Sequence, residues 1–188
     1  MDGGCHVTLL SSWRTAGLLV ASILLSACYV ATHYNAWQYR GGQLVDNGIF
    51  SHPRYEARFG EVRFDVPGTY SHSFSQFPGS DAVVMLATPS GPSDGSIENL
   101  ATQLRVRVVD QNGRLLCEGS GSPGGTGDHQ FVVTSSGQAL GLWHSSCARL
   151  QLRSCNPCQL HLSVGPVDPA TPNILLVPTV QGGGIELP

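Results

Sequence analysis

The chain has 188 residues, of which 12% are charged, and a net charge of −3. That balance gives no electrostatic case for binding nucleic acid. All ten basic residues are Arg, so Lys-dependent chemistry such as a phosphate-loop lysine, a pyridoxal Schiff base or an S-x-x-K acyl enzyme is excluded.

The first element is an uncharged stretch over residues 16–34. Its apolar run from Leu18 to Leu25 has the length of a signal-peptide core, preceded by Arg14. Leu25, Ser26, Ala27 and Cys28 resemble the lipobox of bacterial lipoproteins. The resemblance implies cleavage before Cys28, lipidation of Cys28, and a membrane-anchored domain in the periplasm. Two alternatives stay open: a plain cleaved signal, and an uncleaved helix across the membrane, since 16–34 is just long enough to span. Trp13 on one side and Tyr34, Trp37 and Tyr39 on the other would then form interfacial belts. Arg40 and Arg54 follow the stretch, and the positive-inside rule would place the domain of a spanning chain in the cytoplasm.

The cysteines oppose that placement. With Cys5 in the signal and Cys28 lipidated, Cys117, Cys147, Cys155 and Cys158 remain, an even number that reads as two disulfides in an oxidising compartment. Three pairings exist, and the favoured one is Cys117–Cys147 with Cys155–Cys158.

Residues 35–60 show little periodicity and read as a tether. From Glu61 the pattern alternates: Val62, Phe64 and Val66, a Pro67-Gly68 turn, then Tyr70, His72 and Phe74, which predicts strand–turn–strand. Residues 82–88 are a continuous apolar run, the mark of a strand buried on both faces. Residues 97–103 suggest one or two helical turns. Leu104, Val106 and Val108 alternate with Arg105 and Arg107, and a turn ending in Asn112-Gly113 leads to a second strand through Cys117. Asp110 and Asn112 fit that turn better than a calcium site. Residues 119–128 read as a Gly/Ser loop, 131–134 and 139–143 as strands, and 148–154 with 159–164 as a hairpin. Only an odd-length loop in that hairpin sets Leu150, Leu152, Leu160 and Leu162 on one face. Residues 173–180 add an edge strand.

These signals predict an all-β fold, an antiparallel β-sandwich preceded by one N-terminal hydrophobic helix. The domains are an anchor over 1–34, a tether over 35–60, a sandwich over 61–165, and a C-terminal strand and tail over 166–188. The order Phe64 to Tyr70, then Val108 to Gly113, then a late hairpin is similar to pre-peptidase C-terminal-type and carbohydrate-binding jelly rolls. That likeness covers about residues 60–165 and implies a jelly-roll-like fold without a ligand.

Motifs for chemistry fail on context. Gly91, Ser93 and Gly95 match G-x-S-x-G, but Pro89 and Pro92 interrupt the strand-to-helix elbow that would expose the Ser hydroxyl. Gly119, Gly121 and Gly124 match G-x-G-x-x-G, but no helix follows to receive a pyrophosphate. Cys155 and Cys158 form a C-x-x-C without the helix N-terminus that redox chemistry needs. The histidines lack metal-ligand spacing. No catalytic residue, metal or cofactor is therefore expected. Tyr70, Phe77, Trp143 and His144 are the candidate binding face, with aromatic core packing as the competing use. The functional expectation is a non-enzymatic, membrane-tethered scaffold for a protein partner of the bacterial envelope. The alternatives are a glycan-binding module and a single-pass accessory subunit of a larger membrane complex.

Overall fold

The computed structural model describes residues 20, 22–23, 36–48, 54–79, 81–88, 101–122, 129–134, 137–142, 147, 150–152, 155–169, 173 and 175–182. The chain forms two units, Met1–Tyr34 and Asn35–Pro188. In the first, Val20, Ser22 and Ile23 are helical. Val20 and Ile23 are both exposed, and their spacing places them on one helix face. Among the described residues no helix is long and apolar enough to cross a membrane. Cys28 and most of 16–34 lie outside the described residues.

The second unit is built of antiparallel strands. They are β1 (Gln43–Asp46), β2 (Tyr55–Arg58), β3 (Val62–Arg63), β4 (Gly68–Phe74), β5 (Asp81–Thr88) and β6 (Leu104–Val109). Then follow β7 (Leu115–Gly121), β8 (His129–Thr134), β9 (Gly137–Leu142), β10 (Leu150–Gln151), β11 (Cys158–Val164) and β12 (Leu175–Gly182). One sheet has eight strands in the order β1-β2-β12-β5-β9-β8, with β10 on β5 and β3 on β12. The other has four, in the order β4-β11-β6-β7. The all-β expectation holds.

Alternation explains the smaller sheet. On β6, Leu104, Val106 and Val108 are buried while Arg105 and Arg107 face solvent. β11 buries Cys158, Leu160, Leu162 and Val164 in the same way. Register sets Leu160 opposite Val108 and Leu162 opposite Val106, so each apolar residue meets another across the strands. Burying each such Leu or Val stabilises the fold by roughly 1.5–3 kcal/mol. The core continues through Phe64, Phe74, Leu86, Leu176 and Val180, which belong to one cluster with the β6 and β11 residues. On β5 every residue from Ala82 to Leu86 is buried, as its unbroken apolar run predicts.

Long-range pairing overturns several local expectations. The segment 35–60 is no tether: it supplies β1 and β2, and Tyr39, Tyr55, Ala57 and Phe59 sit in the core. Its apolar residues are too few to announce strands, but β12 pairs β2 over Thr179–Arg58 to Gly182–Tyr55 and fixes it in the sheet. The C-terminal strand is interior, because β12 lies between β2 and β5. The Pro67-Gly68 signal does not close a hairpin. β3 pairs β12 and β4 pairs β11, so the turn carries the chain from one sheet to the other around the fully buried Phe64.

The late hairpin is likewise absent. β10 pairs β5, whereas β11 lies between β4 and β6. All four leucines are nevertheless buried, Leu150 and Leu152 at 2–3% exposure and Leu160 and Leu162 at 0%. The expected loop from 119 begins later, since Gly119, Ser120 and Gly121 pair with Val106, Arg105 and Leu104. Of the weak helix over 97–103, residues 101–103 are irregular, with the Gly165 amide donating to Gln103 O at 2.7 Å. Residues 97–100 lie outside the described residues.

Candidate functional site

The expected aromatic face does not form from Tyr70 and Phe77. Phe77 is 7% exposed and packs edge-on to Tyr39, with ring centroids 6.4 Å apart. Tyr70 is partly buried against the core, on the inner side of β4. Their apolar area is worth more between the sheets than on the surface. Trp143, His144 and the Ser93 motif lie outside the described residues.

The cysteines pair as favoured. Cys117–Cys147 has a Cα separation of 5.1 Å and Cys155–Cys158 one of 4.7 Å. All four are buried, so the C-x-x-C presents no accessible thiolate for exchange. Among the described residues no group of three or more His, Cys, Asp or Glu is placed to hold a metal. Asp110 serves its turn: Oδ1 accepts from the Asn112 and Arg114 amides at 2.9 and 3.0 Å, and Gly113 supplies φ +77°. Burial raises its pKa, but those two amides and the Arg114 charge outweigh that and hold it below the usual carboxylate range.

The outer face of the four-stranded sheet gathers what the sequence scatters. Register brings Ser71, His161, Arg107 and Glu118 into one row across β4, β11, β6 and β7. The next row is Thr69, Ser163, Arg105 and Ser120. Ser71 Oγ and His161 Nδ1 share a hydrogen bond at 2.8 Å, and Thr69 Oγ1 and Ser163 Oγ share one at 3.2 Å. Glu118 Oε1 accepts from Arg105 Nε at 2.6 Å and lies 3.3 Å from Arg107 Nε. One carboxylate therefore holds two guanidiniums. The result is a polar surface of hydroxyl, imidazole, guanidinium and carboxylate groups.

Ser71 and His161 are the types of residue that serve as nucleophile and base. Along the row His161 is flanked by Ser71 and Arg107, and among the described residues no carboxylate is seen paired with the imidazole in the way a triad's is. Glu118 lies one strand farther away and is committed to the arginines.

Among the described residues two buried side-chain polar atoms have no hydrogen-bond partner, Tyr39 Oη and His72 Nε2. His72 stacks on Phe59 with centroids 5.3 Å apart, and burial lowers its pKa. Burial pushes the Tyr39 hydroxyl up to about 12, and the nearby Gly42 backbone offsets this only in part. These are interior groups whose neutral forms are favoured. On the eight-stranded sheet, a groove of about 460 Å³ is lined by Gln43, Glu56, Arg58, Glu61, Ala87 and Val177, among others. Glu56 there is nearly buried and accepts from Arg58 Nε at 2.7 Å and Asn47 Nδ2 at 2.8 Å. The pair is internally neutral, and the remaining Glu61 makes the groove a poor seat for an anion.

The outer-face row escaped sequence reading, although its signal was present. Thr69, Ser71 and Ser73 alternate with inward residues, as do Gln159, His161 and Ser163. Which strands are neighbours is written in no local pattern. Comparison with protein-family models, curated proteins and solved structures gave no match.

Proposed function

We propose that this chain is a non-enzymatic, membrane-tethered β-sandwich of the bacterial periplasm that docks a protein partner through the outer face of its four-stranded sheet. The observation that carries the reading is the in-register polar surface: Thr69, Ser71, Ser73, Gln159, His161 and Ser163 beside Arg105 and Arg107. Two buried disulfides support an oxidising compartment. Exposed Val20 and Ile23 in the uncharged N-terminal stretch support contact with lipid. Lipid on Cys28 is the proposed anchor, with a spanning helix over 16–34 as its competitor. Intact mass of the membrane form separates the two: loss of residues 1–27 plus a lipid mass against an unmodified chain from Met1.

Size bounds the contact. Four strands by six or seven residues make a face roughly 20 Å on each side. That is about half of the ~800 Å² each partner gives to a standard interface. Docking therefore extends onto the adjoining turn, where Arg114 and Leu115 are exposed. The aromatic stacking platform of a glycan module is not part of this face, whose described members on β4 and β11 are polar and whose half-buried apolar members, Val109 and Leu116, are aliphatic.

Site-specific photo-crosslinking in cells tests the assignment. A crosslinker at Gln159 should yield one discrete protein adduct, which Arg107→Glu removes. The same crosslinker at Gln43, on the other sheet, should not yield it. Saccharide adducts at Gln159 would favour the glycan module. Equal adducts at both positions, or none at Gln159, would sink the docking face.

A further inference from the structure

The folded body begins almost where the apolar stretch ends. Tyr39 is only 8% exposed. The Arg40 amide donates to Ser75 O at 3.1 Å, and Arg40 O accepts from the Ser75 amide at 2.8 Å. Trp37 lies in a helical turn fastened to this point, because the Tyr39 amide donates to Ala36 O at 3.3 Å. Arg40 Nη1 donates to the Trp37 and Tyr39 carbonyls at 3.3 and 2.8 Å, and so holds the turn closed.

On this anchored turn the indole of Trp37 is 59% exposed. Phe59, Phe64, Phe74 and Phe77 are all buried. Among the described residues those four rings lie inside, while Trp37 is left out beside the exposed Arg40. Indoles favour the membrane–water interface, where the ring meets acyl chains and the N–H meets headgroups, and arginine favours the phosphate level.

We infer that Trp37 and Arg40 form a membrane-facing pole that seats the sandwich directly on the phospholipid surface. The inference rests on the membrane-tethered reading and adds orientation to it. Reach makes it specific. A free tether over 35–60 would extend about 90 Å, whereas residues 35–38 extend at most about 14 Å. From a lipidated Cys28 to Trp37 the limit is roughly 30 Å. Under either anchor Trp37 is held within reach of the headgroups.

The test uses the full chain reconstituted in vesicles of equimolar phosphatidylcholine and phosphatidylglycerol. Trp13→Phe and Trp143→Phe leave Trp37 as the sole tryptophan. Its emission should shift to the blue, lose most of its intensity to phosphatidylcholine brominated near the headgroup, and resist aqueous iodide. As a check on folding, the unsubstituted chain and Trp37→Phe should differ by that same lipid-quenched component. If the chain floats with the vesicles while Trp37 stays solvent-like and iodide-quenched, the pole is wrong and the tether stands. A chain that does not float with the vesicles overturns both.

Discussion

Cys117 on β7 is bonded to Cys147, which lies between β9 and β10, so one covalent link ties the edge of the four-stranded sheet to the chain of the eight-stranded one. Thirty positions separate the two residues, against three between Cys155 and Cys158. Loop-closure entropy assigns about 3.5 kcal/mol to the longer link and about 2 kcal/mol to the shorter. Cys117→Ala with Cys147→Ala should therefore lower the melting temperature by about 10 °C, roughly twice the effect of Cys155→Ala with Cys158→Ala. Thermal unfolding of the two double variants, followed by circular dichroism, checks the ratio. Equal losses would refute the loop-length account.

His72 predicts an acid-sensitive fold. Its folded pKa lies below the ordinary 6.5 because burial penalises the imidazolium, and Nε2 has no partner to accept its proton. The unfolded chain therefore binds the proton more readily. The neutral ring's contribution is complete above the unfolded pKa and is lost as pH falls from about 6.5 through the folded value. Urea midpoints should drop between about pH 7.5 and about pH 5, and His72→Phe should remove part of that drop. A variant with an unchanged pH slope would show that another group is responsible.

Two glycines separate steric from conformational cost. A Cβ on Gly42 would collide with the Arg58 carbonyl across the β1–β2 pair, so Gly42→Ala must push backbone apart and should cost about 2–3 kcal/mol. Gly113 has φ +77° with no atom within 4 Å of a built Cβ, so Gly113→Ala should cost only about 1 kcal/mol. Chemical denaturation of the two variants gives the comparison directly.

The outer face should be dispensable for folding. Ser71→Ala and His161→Ala remove one hydrogen bond at the solvent surface, and each should change stability by no more than about 0.5 kcal/mol. Both should weaken the Gln159 crosslink. Substantial unfolding by either variant would make the row structural.

Short-range order was legible because it depends on neighbours in the chain. Alternation at 104–109, the apolar run at 82–88 and the Asn112-Gly113 turn became β6, β5 and the β6–β7 connection, since side-chain period and turn chemistry are local properties. The even set of four domain cysteines pointed to two disulfides on the same footing. Only the tertiary structure decided which strands share a sheet. β12, at the far end of the chain, enters between β2 and β5 and draws residues 43–58 into the domain. The same long-range choice sends β3 and β4, and β10 and β11, to opposite sheets, and it aligns Ser71, His161, Arg107 and Glu118. Its cause is the burial of two apolar faces against each other, an energy summed over residues distant in sequence that no single segment displays.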